Sequence, residues 1–377
     1  MPEESRVALL RQGARVPELD GIRGIAILMV LLLHWVVRPA APILRHWSPR
    51  LWALLDLSWC GVDLFFVLSG FLIAGILVDH RDAPNVLRTF YTRRACRILP
   101  AYLVLLFLAS LPIGGASQVA QGEIPLAAYL LFLQNLWSSA GARVAFALGP
   151  CWSLAIEEQF YLGLPVLLLW VFRGRFGSFA AVMLLAPPLL RCLCLASGWR
   201  SPWDFTPCRL DAPFWGVLAA VLVRDPRAAA LLLKYRRALL WAAGAALLGV
   251  AGLSQLVLLP AGTNLLLSIG LSLIAAAFTL ALVSVLLSPQ AAPARLVRWA
   301  PLRWSGKHSY FLYLFHLVVL LFIPIAQFPL RVAVSACALA VLAAISWRWL
   351  ELPFLKLGAA VEYSESARSP PLTEPAG

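Results

Sequence analysis

GIRGIAILMVLLLHWVVRP, residues 21–39, is an apolar run broken only by Arg23, His34 and Arg38. As a helix rising about 1.5 Å per residue it reaches about 28 Å, close to the roughly 30 Å of a bilayer's hydrocarbon core. It reads as a membrane-spanning helix. The preceding Met1–Pro17 is polar and mixed in charge, unlike a cleavable leader, so the run is expected to stay in the protein.

The same pattern recurs along the chain. Runs at 21–39, 60–78, 98–114, 152–172, 178–197, 211–223, 238–259, 264–287, 308–326 and 330–350 are separated by charged or Pro/Gly-rich joints. They predict an all-α, polytopic integral membrane bundle of about ten transmembrane helices. The stretch IPLAAYLLFLQNLW (124–137) is about half a span long and is expected to be interfacial or re-entrant. With both termini placed in the cytoplasm, inner segments hold 23 Lys/Arg and outer loops 7, as the positive-inside rule requires. The expected location is the cytoplasmic (inner) membrane, multi-pass. Residues 1–357 form the expected transmembrane domain, and 358–377 read as a disordered cytoplasmic tail.

Composition agrees. A chain of 377 residues that is 61% hydrophobic and 13% charged carries more apolar surface than a water-soluble core can hide. The net charge of +13 is spread in short clusters beside apolar runs, the pattern of membrane-flanking loops, so no nucleic-acid partner is expected. The seven cysteines show neither CxxC nor metal-ligand spacing, and no metal site is expected; Cys60, Cys151 and Cys208 could share the outer face and pair there. No internal repeat is evident, which weighs against a transporter built of inverted halves.

Ionisable groups inside spanning segments are costly and mark function by default. His34 lies eleven residues beyond Arg23, about 16 Å along the helix, in the outer half of the membrane. An imidazole there suits proton transfer near neutral pH; the alternative is an interhelical hydrogen bond. Arg93, Arg94 and Arg97 share a face as the third helix begins, and guanidinium groups so clustered suit phosphate recognition or, more plainly, a cytoplasmic anchor. Glu157 and Glu158 enter the fourth helix from its outer end, where they serve the helix dipole or line a polar cavity. Asp63, Asp211 and His316 are further embedded polar groups, and Gly61, Gly70 and Gly75 permit close helix approach.

In order, these pieces resemble a known set, the bacterial-type acyltransferase family 3 membrane O-acyltransferases. The resemblance rests on Arg23 and His34 with ten residues between them, DLFFVLSGFLI (63–73), and Arg94 with Arg97. It continues through WSLAIEEQFY (152–161), SYFLYLFH (309–316) and SWRWLELPFLKL (346–357). Lys307–His308 is a local departure. The resemblance implies the minimal form, without an appended hydrolase-like domain. It implies acyl-CoA, acetyl-CoA above all, as co-substrate, and a hydroxyl on a glycan, lipid-linked sugar or small natural product as acceptor. His34 would then be catalytic, as general base or transient acyl carrier. Glu157 or Glu158 would orient it, and Arg93, Arg94 and Arg97, with Arg23, would hold the CoA phosphates. The competing class is a proton-coupled secondary transporter or a polysaccharide export partner, which would need embedded His, Glu and Asp but no acyl donor.

Overall fold

The computed structural model describes residues 16–112, 117–168, 176–199, 202–259 and 262–364, and every regular element among them is helical. In chain order these include α1 (Pro17–Trp47), α2 (Pro49–Asp79), α3 (Val86–Ser110), the short α4 (Leu126–Leu130) and α5 (Gln134–Ser139), and α6 (Cys151–Val166). There follow α7 (Phe176–Ala196), α8 (Asp211–Arg224), α9 (Pro226–Lys234), α10 (Arg236–Leu258), α11 (Gly262–Leu287), α12 (Ala292–Val297), α13 (Ala300–Lys307), α14 (Ser309–Phe322) and α15 (Phe328–Ala359).

Six helices among the described residues, α1, α2, α7, α10, α11 and α15, are long and apolar enough to cross a membrane. They coincide with six of the ten expected runs. The other four fall on α3, α6, α8 and α14. The first half of α3 carries Arg88, Arg93, Arg94 and Arg97, α8 and α14 have 14 residues each, and the end of the run expected at 152–172 lies outside the described residues. A helix of 14 residues spans only about 21 Å, so it can stand at membrane depth only where neighbouring protein covers its ends. Such cover exists: α8 packs along α2, and α14 packs against α1, α3 and α15.

The centre of the bundle is α2, which touches α1, α6, α8 and α11. Its closest neighbour is α8, and the approach depends on two glycines. A Cβ on Gly70 would run into the carbonyl of Pro213, and one on Gly216 into the carbonyl of Val67. Gly61 and Gly75 also face neighbours, Ala26 of α1 and Arg224 of α8. Without a hydrophobic drive between helices in lipid, such backbone-to-backbone contact supplies much of the association energy.

Three ion pairs tie the same helices together. Arg209 meets Asp63 at 2.8 Å with both side chains buried. Arg191 of α7 grips both carboxylate oxygens of Asp211, at 3.1 and 2.8 Å. At the other end of α2, Arg224 holds both oxygens of Asp79 at 2.8 Å. Asp63 and Asp211, singled out as embedded charges, therefore serve as interhelical clamps, because each is neutralised by an arginine from a neighbouring element.

The stretch 124–137 forms the two short helices α4 and α5, broken at Phe132, whose φ of 54° lies in the left-handed region. Its polar backbone is covered from α6: Gln159 Nε2 donates to the Phe132 carbonyl at 2.7 Å and to Asn135 Oδ1 at 2.9 Å. All seven cysteines are free thiols, and Cys208 lies 3.9 Å from Cys194, not beside Cys60 or Cys151. At the C-terminal end, α15 runs through the boundary expected at residue 357. Residues 361–364 then lie along the start of α3, and 365–377, the remainder of the expected tail, fall outside the described residues.

Candidate active site

His34 sits in a π-helical turn, Leu33–Val37, inside α1. Such turns widen a helix locally and cluster at functional sites. The His34 Nδ1 lies 2.9 Å from the Val30 carbonyl. A carbonyl only accepts, so Nδ1 carries the proton and Nε2 presents its lone pair. His316 of α14 repeats the arrangement, with Nδ1 2.7 Å from the Tyr313 carbonyl. Its Nε2 is buried and finds no hydrogen-bond partner among the described residues. The two imidazoles face each other with centroids 4.9 Å apart and planes inclined at 58°. Trp35 Nε1 donates to the His316 carbonyl at 3.2 Å, fastening α1 to α14 at this level.

His34 opens on an outer cavity of about 740 Å³. Its walls include the indoles of Trp35, Trp59, Trp152 and Trp203, with Arg38 and Arg331 also lining it. Arg209, though engaged with Asp63, lies 4.7 Å over the Trp203 ring and so holds part of that aromatic wall in place. Nearby, burial raises the Asp204 carboxyl above its ordinary range, against a hydrogen bond from Ser138 and the charge of Arg209.

A narrower middle cavity of about 90 Å³ adjoins it, and Val62 and Tyr313 line both. Arg23, Arg94, Arg97, Ser69, Glu157 and Tyr161 line the middle cavity. Glu157 accepts hydrogen bonds from Ser69 and from Tyr161, whose hydroxyl oxygen lies 3.0 Å from that of Ser69. At the upper boundary, Tyr313 Oη and Ser153 Oγ are 2.5 Å apart.

Arg94 and Arg97 also line a third, inner cavity of about 560 Å³, together with Arg93, His80 and Tyr363. The three arginines form no ion pair among the described residues, so their charge is available to an anion. Burial and the charge of Arg93 lower the His80 pKa, with Asp79 opposing. The His80 ring is therefore neutral near pH 7.

Six of the seven residues given a catalytic or donor-binding role by the resemblance line this connected set of cavities: His34 the outer one, Arg23, Arg94, Arg97 and Glu157 the middle one, and Arg93 the inner one. The seventh, Glu158, points elsewhere and leaves Oε1 buried without a partner. Neither glutamate is brought to His34. The place expected for a carboxylate is taken by His316, because α14, and not α6, packs against α1 at that depth. From the sequence, His316 falls mid-span and is open to either a structural hydrogen bond or a catalytic task. Ser69, Tyr161 and Tyr313 went unremarked, although each lies in a quoted motif segment. Their polar groups in otherwise apolar runs were the available signal.

Fold and site together define a helical, multi-pass membrane protein whose core joins a basic inner cavity to an outer one bearing a histidine pair. The chain belongs to acyltransferase family 3: the family model described as an acyltransferase domain matches residues 16–349. Among curated relatives, a Staphylococcus aureus (strain COL) protein named "Putative O-acetyltransferase" is 29% identical over 91% of this chain. The O-acetyltransferase OatA of Staphylococcus aureus (strain NCTC 8325 / PS 47) is 27% identical over 91% of this chain. This chain spans 58% of the length of each of these relatives. No solved structure matches the chain.

Proposed function

We propose that this chain is a multi-pass O-acyltransferase of the cytoplasmic membrane that moves an acyl group, acetyl in the first instance, from acyl-CoA to a hydroxyl on the opposite side. The acceptor class is a glycan, a lipid-linked sugar or a small natural product. Ten crossings with both termini cytoplasmic belong to the same reading, supported by the 23-to-7 distribution of Lys/Arg.

One observation carries the reading: three cavities in series share their boundary residues. Arg94 and Arg97 belong to the inner and middle cavities, and Val62 and Tyr313 to the middle and outer ones. A donor with a phosphate-rich head and a long, thin thioester arm fits that sequence of wide basic, narrow polar and wide aromatic spaces. Arg93, Arg94 and Arg97 hold the phosphates through charge-assisted hydrogen bonds. Arg23, Ser69 and Tyr161 line the passage for the arm. The donor supplies an acyl thioester, activated toward attack.

At the outer end, His34 Nε2 accepts the proton of the acceptor hydroxyl as its oxygen bonds to the acyl carbon and the carbon–sulfur bond breaks. The proton then passes to the departing sulfur. An acyl group carried briefly on His34 Nε2 uses the same lone pair. His316, whose ring centroid lies 4.9 Å from that of His34, helps to hold the imidazolium formed on His34. The indole walls of the outer cavity suit the C–H faces of a sugar or a macrocycle, giving the acceptor its seat.

The test is direct. Purified protein in proteoliposomes receives acetyl-CoA labelled in the acetyl group, with candidate hydroxyl acceptors on the other side. Release of free CoA thiol with label on an acceptor hydroxyl is the expected result. A protein that neither binds CoA nor moves label ends the reading.

A further inference from the structure

The C-terminal end of α15 does not leave the bundle. It continues as a strap along the first turns of α3, and polar contacts hold it there. Arg93 Nε donates to the Val361 carbonyl at 2.9 Å, and Asn85 Nδ2 to the Glu362 carbonyl at 2.9 Å. Thr89 Oγ1 donates to the same carbonyl at 3.3 Å, and the Ser364 amide returns a bond to Asn85 Oδ1 at 2.9 Å. The strap delivers one large side chain, Tyr363. Its ring stacks on His80, at the end of α2, with centroids 3.9 Å apart and planes 7° from parallel. The Arg93 guanidinium lies 4.8 Å over the same ring. His80, Tyr363 and Arg93 all line the inner cavity.

An apolar helix end needs none of this to stop. A strap stapled by three side chains at the start of α3, ending in a flat stack at the mouth of an arginine-lined space, is a built wall. Flat rings beside clustered guanidinium groups are the combination that takes a purine nucleotide: the base against the rings, the phosphates on the arginines.

We infer that the strap 361–364 is part of the donor site, with the His80–Tyr363 stack forming the wall against which the adenine base of the acyl donor lies and Arg93 held by the strap toward its phosphates. This rests on the acyl-CoA reading of the preceding subsection and specifies which end of the donor the inner cavity recognises. Tyr363 and His80 would touch the base. Asn85 and Thr89 act only through the strap and are positioning residues.

The experiment separates the base from the arm. CoA and, separately, S-acetylpantetheine, which has the thioester arm but no nucleotide, are titrated into the full chain purified in detergent. The proteins compared are wild type, Tyr363→Ala, His80→Ala and Tyr363→Phe. Loss of one stacking surface should weaken CoA binding about tenfold in each alanine variant. Binding of S-acetylpantetheine should stay at the wild-type level, and Tyr363→Phe, which keeps the ring, should keep CoA affinity. If wild type binds CoA and both alanine variants bind it equally well, the inference falls while the donor reading stands. Equal weakening of both ligands would make the strap a general fold element and also overturn it. A wild-type protein that binds no CoA removes the donor reading, and this inference with it.

Discussion

His34 and His316, 282 residues apart in the chain, meet with ring centroids 4.9 Å apart inside the bundle. Each gives its Nδ1 proton to a carbonyl of its own helix, which leaves each Nε2 free of the backbone. The His316 Nε2 is buried without a partner among the described residues, a cost offset by the packing of α1 against α14 and by the Trp35 bond to the His316 carbonyl.

The first prediction follows from that pairing. His34→Gln keeps a hydrogen-bonding amide but cannot accept a proton near pH 7, so acyl transfer should fall about 10²- to 10⁴-fold. CoA binding, measured separately, should persist. His316→Gln should lower turnover less, with KM for the donor unchanged. Near-wild-type transfer by His34→Gln would move the chemistry to another group.

The arginine cluster gives the second. Replacing Arg94 and Arg97 with alanine removes two charge-assisted contacts from the boundary shared by the inner and middle cavities. CoA affinity should drop by about a hundredfold, on the order of 3 kcal/mol, with membrane insertion intact. Isothermal titration in detergent reads the difference, and unchanged affinity would return both residues to the role of anchors.

A third prediction separates structure from chemistry in the outer half. Arg209→Met leaves the buried Asp63 without its partner and should cost about 3–5 kcal/mol of stability. The double variant Asp63→Leu with Arg209→Met removes both charges and should recover much of the lost thermal midpoint. No recovery would show that Asp63 has work beyond the clamp.

Close packing supplies the fourth. Gly70→Leu would push a side chain into the Pro213 carbonyl and force α2 and α8 apart, costing about 1–3 kcal/mol or more. Gly244→Ala, where an added Cβ meets open space, should leave the thermal midpoint nearly unchanged. Equal midpoints for Gly70→Leu and wild type would remove the α2–α8 contact from the account.

Much was legible beforehand because the bilayer imposes its rule locally. A residue facing lipid must be apolar whatever its distant neighbours are, so the six long helices and the asymmetry of Lys/Arg could be read run by run. The arginines of α3 were legible for the same reason, since charge at the start of a spanning segment announces itself. His34 stood out as an imidazole in an apolar run.

Which helices adjoin was decided only by the tertiary structure. That α14 lies beside α1, and so His316 beside His34, follows from shape: Trp35 reaches the His316 carbonyl, and close backbone contacts such as Gly70 with Pro213 set the order of helices around α2. Hydropathy carries no such information, because every inward face is comparably apolar. The same limit explains the glutamates. Their helix and depth were readable, as was the i,i+4 pairing of Glu157 with Tyr161, but only packing brings Ser69 to Glu157 and leaves Glu158 facing elsewhere. The strap was hidden more deeply still. EYSES (362–366) is polar and reads as tail, and its first residues gain a place only because Asn85, Thr89 and Arg93, more than 260 residues earlier, present donors and an acceptor that its backbone can meet. Solvent preference is a property of each segment alone; partnership is a property of two surfaces brought together.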